Sequence, residues 1–148
     1  MAVSILVPLH DSISSRGVVD FLLKMPFCPD LKLTFIHVYR KPRSGEELMG
    51  KKYMAELPAR HEKMLQVTKD RMVREKGFDA ANIEVALVEM TRDTVSEEII
   101  DYFGKGKFDM LIIGRKQMSK SEEFIMGDIS IKLIRALPKT SILVVKTG

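Results

Sequence analysis

The sequence predicts an α/β chain built on a single doubly wound, five-stranded parallel sheet, Rossmann-like, with helices on both faces. Three observations predict it. Five short β-branched or apolar runs recur along the chain, and stretches with helical spacing separate them. Three of the runs (the first, fourth and fifth) are apolar almost throughout, as strands buried on both faces of a parallel sheet are. Helical crossovers of ten or more residues between successive strands imply right-handed, parallel connections.

The strands are "VSILVP" (3 to 8), "LKLTFIHVY" (31 to 39), "NIEVALVE" (82 to 89), "DMLIIG" (109 to 114) and "SILVVK" (141 to 146). The third alternates more, with Ile83, Val85 and Leu87 on one side, which suits a place nearer an edge. Between the first two, "HDSISSRGVVDFLLKM" carries Val18, Val19, Leu22 and Leu23 at helical spacing, although Gly17 weakens its first turns. From Gly45 to Lys76, Leu57, Met64, Leu65 and Met72 share a helical face, and Pro58 reads as a helix start or a break. "TVSEEIIDYF" opens with Thr94 and has Glu97 three residues later, a capping-box pattern, with Gly104 and Gly106 ending the helix. A last helix runs from Asp128 towards Pro138.

At 148 residues the chain is one domain, 1–148, with a 45% apolar and 30% charged composition that reads as soluble and globular rather than disordered. A net charge of +4 permits an anionic ligand, while no charge run resembles a nucleic-acid arm. No Trp, three Tyr and seven Phe make a poor base-stacking surface, so no nucleic-acid partner is expected. The first apolar run is far too short to span a membrane and lacks a basic leader. The single Cys28 cannot form an internal disulfide and fits a reducing, cytoplasmic setting.

Sheets of this kind bind ligands outside the carboxyl ends of their strands, where the strand order reverses. That rule selects the positions after Pro8, after Tyr39 and after Ile113. The third opens "IIGRKQMSKSEEFIMGDIS" (112 to 130), a strand, a glycine, a basic polar run, Gly127 and a helix start. Helix N-termini hold anions through unpaired N–H groups and a partial positive charge.

"ILVPLHDS", "IHVY" and "LIIG…GDISIKLIRALPKTSILVVK" resemble the universal stress protein family over nearly the whole chain. The resemblance implies strand order 3-2-1-4-5 and a homodimer pairing its last strands, here Ser141 to Lys146. In one branch it also implies ATP held by the glycine loop. Pro8, Val38, Gly114 and Gly127 match positions of the family's nucleotide site. Arg115 and Lys116 keep its spacing, but Gln117 stands in place of the second glycine, Asp128 in place of Ser or Thr, and His10 in place of an Asp that contacts the nucleoside. Asp128 would cap the helix itself, worth about 0.5–2 kcal/mol, and would repel a triphosphate. The expectation is a dimeric stress-response protein, a binder or regulator without a catalytic set and with no cofactor. The alternative is an adenine-nucleotide binder in which Arg115, Lys116 and Lys120 clamp the phosphates.

Other chemistry finds less support. His10, His37 and His61 share no metal-ligand spacing, and no metal is expected. "HDS" is not a triad, and no GxSxG elbow is present. Arg40, Lys41, Arg43, Lys51 and Lys52 form a second basic surface near the end of the second strand, read as a solvated loop.

Overall fold

The computed structural model describes residues 2–9, 13–28, 30–40, 51–116, 120–121 and 129–147. The elements follow in the order β1 (Ser4–Pro8), α1 (Ile13–Lys24), β2 (Lys32–Tyr39), α2 (Lys51–Lys76), β3 (Ile83–Glu89), α3 (Val95–Lys105), β4 (Met110–Lys116), α4 (Ile129–Ala136) and β5 (Ser141–Thr147). The sheet order is β3-β2-β1-β4-β5, all neighbours parallel. The expected fold is therefore the observed one, and the alternating third strand does lie at an edge.

Strand alternation sorts the core into two layers. Ile5, Val7, Leu33, Phe35, Ile83 and Ile112 turn towards α1 and α2, where they meet Val18, Leu22, Leu65 and Met72. Leu6, Ile36, Leu111 and Ile113 turn the other way, towards Ile99 and Phe103 of α3 and Leu133 of α4. Leu6, Leu22, Phe35, Ile36, Met72, Leu111, Ile112 and Leu133 are fully buried, which is why β1 and β4 read as nearly continuous apolar runs. β5 reads the same way but is an edge strand, its residues from Ile142 to Val145 only half-buried. Gly17 lets α1 approach the end of β5, since a Cβ there would lie 1.9 Å from Thr147 Cγ2.

Three local expectations need correction. Pro58 neither starts nor breaks a helix; α2 runs through it from Lys51 to Lys76. Proline removes one i→i−4 bond, and a 26-residue helix packed along the sheet bears that loss. Gly104 lies inside α3, and Gly106 alone is its C-cap, with φ −86° rather than a left-handed value. A Cβ at Gly106 would meet the Phe108 ring at 2.2 Å, so close packing explains this glycine. Finally β4 does not stop at Gly114, because β5 continues to pair with it through Thr147.

Candidate functional site at the carboxyl end of the sheet

The registers define a crevice above β1. Pro8 pairs with Ile36 of β2, and β2 continues to Tyr39. Leu6 pairs with Leu111 of β4, which puts Pro8 level with Ile113, and β4 continues to Lys116. Both neighbours thus overrun β1 by about three residues at the point where the strand order reverses, the place where doubly wound sheets take ligands.

Pro8, Val38 and Gly114 are brought together at this end. Pro8 is buried as the last residue of β1, and Val38 is half-buried and packs on the α3/α4 side. Gly114 is half-buried opposite Val145. Arg115 and Lys116 were expected in a loop, yet both are strand residues, paired with Lys146 and Thr147. By alternation Arg115 faces the same side as Ile113 and Val38, and so does its neighbour Lys146, while Lys116 faces the other. Two cations therefore stand side by side on the α4 face of the strand ends. Lys120 is exposed. His10, Gln117, Gly127 and Asp128 lie outside the described residues, as do Lys41 and Arg43; Asp128 immediately precedes the first residue of α4.

Sequence reasoning missed a histidine pair on the opposite face. His37 is buried in β2, and its Nδ1 donates to the Leu9 carbonyl oxygen at 2.8 Å. Leu9 N–H in turn donates to Ile36 O at 2.7 Å, so the end of β1 is pinned by both backbone and ring. The His61 ring of α2 lies against His37, with centroids 3.9 Å apart and planes tilted by 46°. Beside them a cavity of about 770 Å³ opens between α1 and α2, with Leu9 and His61 in its wall. Among the described residues no group of three His, Cys, Asp or Glu could hold a metal ion. Cys28 is exposed, its Sγ 3.9 Å from the Asp30 carboxylate.

The second missed residue is Glu98. Thr94 caps α3 as expected, its side chain accepting from Glu97 N–H at 3.2 Å. The buried carboxylate, however, is that of the next residue. Glu98 accepts from the N–H groups of Thr91 and Arg92 at 3.1 and 2.9 Å and from Thr91 Oγ1 at 3.3 Å, ordering the turn between β3 and α3. Arg92 and Lys105 both reach Asp101, at 3.1 and 2.9 Å. The hydrogen bond from Lys105 is the main cause holding the Asp101 carboxyl below its ordinary value; the charges of Lys105 and Arg92 reinforce it, against some desolvation. Burial, with the charge of Glu84 behind it, pushes the Tyr102 phenol up.

A doubly wound α/β domain whose strand order reverses between β1 and β4 is what these elements define. The model of the universal stress protein family matches residues 1–146, and the chain belongs to that family. No curated protein matches it. Among solved structures it is similar to a universal stress family protein from Burkholderia pseudomallei at 18% identity and TM-score 0.67, covering 95% of this chain and 93% of that one. It is also similar to a universal stress protein in complex with cAMP, at 20% identity and TM-score 0.67 over 99% and 98% of the two chains. A third, from Archaeoglobus fulgidus in complex with dAMP, has 13% identity and TM-score 0.59 over 97% and 98%. No helix among the described residues is long and apolar enough to cross a membrane.

Proposed function

We propose that this protein is a homodimeric, regulatory or binding member of the universal stress protein family, working in the cytoplasm through its surface and without ATP. The observation that carries the reading is the apolar exposure beside the last strand. Ile129, Ile131 and Ile134 of α4 are 38%, 40% and 54% exposed, and Ile131 and Ile134 lie one turn apart. The helix leads into β5, an edge strand whose Ile142 and Val144 are only half-buried. Ile131 and Ile134, on one face of a short helix next to an open edge, are what a second copy would cover. Pairing through Ser141 to Lys146 would close the edge of both sheets at once. The replacements at His10, Gln117 and Asp128 support a crevice that does not take a triphosphate.

A second reading is favoured by Arg115 and Lys146, side by side on the Val38 face, together with the cAMP and dAMP complexes of two structural relatives. It is an adenine-nucleotide site in which side-chain cations replace backbone amides as the phosphate cradle.

Titration calorimetry of nucleotide-stripped protein with MgATP and with AMP separates the two. The first reading expects no heat and no shift in Tm at millimolar nucleotide; saturation in the micromolar range would replace it with the second. Sedimentation at micromolar protein tests the dimer, and a lone monomer species would refute it. Ile134→Glu is expected to shift that equilibrium to monomer without lowering helix content.

A further inference from the structure

We propose that the cavity between α1 and α2 binds a small amphipathic carboxylate, an acid with an apolar body of fatty-acyl character, at a site separate from the β1/β4 crevice. Its volume of about 770 Å³ is that of a ligand site. Leu57, Arg60, His61, Met64, Val67, Thr68 and Arg71 recur at three- and four-residue spacing, so one stripe of α2 faces α1 across the opening.

Two chemistries meet in the lining. Leu9, Val19, Leu57, Met64 and Val67 supply an apolar wall, and Val67 is 48% exposed, surface that an apolar occupant would cover. Among the described lining residues, Arg60, Lys63 and Arg71 of α2 stand with the acid Asp20 of α1. Glu75 matches Arg71 through a 2.8 Å pair just outside it, and Arg60 and Lys63 outnumber Asp20 among the described residues of the lining. An apolar body with one negative head satisfies both features. A triphosphate would leave the wall uncovered, and a neutral lipid would leave the cations unused.

The site is also distinct in position. Val38 packs towards α3 and α4, whereas His37 and His61 meet on the α1/α2 side of the same strand. Leu9 joins the two regions: it lines the cavity and its carbonyl accepts the His37 Nδ1–H at the end of β1. An occupant would therefore bear on the strand end that leads into the crevice.

The test is an NMR titration of the intact chain with decanoate, following the Met64 and Val38 methyl groups and the His61 ring. The expected result is saturable movement of Met64 and His61 below about a millimolar, with Val38 unmoved. Decanol should bind at least about tenfold more weakly, as should decanoate to the Arg60→Ala/Lys63→Ala variant. Val67→Asp, at an exposed position, should abolish binding while its unliganded spectrum stays folded. Equal binding of decanol and decanoate would overturn the anionic part of the proposal. Movement of Val38 in place of Met64 would put the ligand in the crevice, and an absence of saturable movement would remove the site. Concentration-dependent shifts of Met64 without ligand would show a second copy covering the cavity, which also overturns it. None of these outcomes depends on whether ATP binds.

Discussion

On the α1/α2 side of the sheet, fully buried Leu22, Phe35 and Met72 make an apolar layer that also holds the buried His37 ring against His61, and a pocket opens between the two helices. On the α3/α4 side, the turn before α3 is tied by a buried carboxylate, and the turn after it is packed by a ring against a glycine. That second layer keeps its unsatisfied apolar surface on the outside, at Ile131 and Ile134. The contrast teaches where each face can act. A face with an open pocket and charge at its rim suits a small molecule, and one with apolar side chains turned outward suits another protein surface.

The largest expected effect tests the apolar layer. Phe35→Ala removes a fully buried ring and should cost about 3–5 kcal/mol, read from urea unfolding. A loss below about 1 kcal/mol would mean that the layer closes over the gap and is not packed as described. The polar device of the opposite face comes next. Glu98→Ala strands the N–H groups of Thr91 and Arg92 and should cost about 2–4 kcal/mol, while Glu98→Gln, which keeps an acceptor oxygen, should cost about half as much. Equal losses for the two variants would mean that charge and not bond count governs the turn. Gly106→Ala should then cost about 1–3 kcal/mol, because the Phe108 ring must leave its place against Phe103. Phe108→Leu in the same chain should recover part of that loss; if it recovers none, crowding is not the reason for the glycine.

The contrast between faces also explains what was legible in the sequence. Strands read well because burial on both faces leaves no polar alternation, so Ile5 to Val7 and Leu111 to Ile113 announce themselves. Strand order came through the family resemblance, and the observed order agrees with it, while the crevice came from the rule that places ligands where a doubly wound sheet reverses. The histidine pair was not legible, since His37 and His61 belong to different elements and only the packing of α2 on β2 brings the rings together. Glu98 was hidden behind a correct pattern: Thr94 and Glu97 mark the cap, but the helical turn aims the next residue at the preceding loop. Pro58 misled because its penalty is local, while the burial along α2 is spread over many turns. Arg115 and Lys116 read as loop because charge ends an apolar run, yet an edge ladder accepts charged side chains at its solvent end.

The smallest effect concerns the exposed ion pairs over α3. Asp101 is held below its ordinary carboxyl value of 3.8 by Lys105 and Arg92, so the folded state releases its proton more readily than the unfolded chain does. Its contribution is therefore present above the unfolded value and fades as the pH falls through the lower, folded one. Exposed pairs contribute little, and salt screens them. Melting curves of the native chain and Asp101→Asn should accordingly differ slightly near neutral pH, converge in acid below the folded value, and converge at all pH values in high salt. A difference that persists in acid would mean that Asp101 acts through packing, and would place α3 with the apolar face in the way it is held.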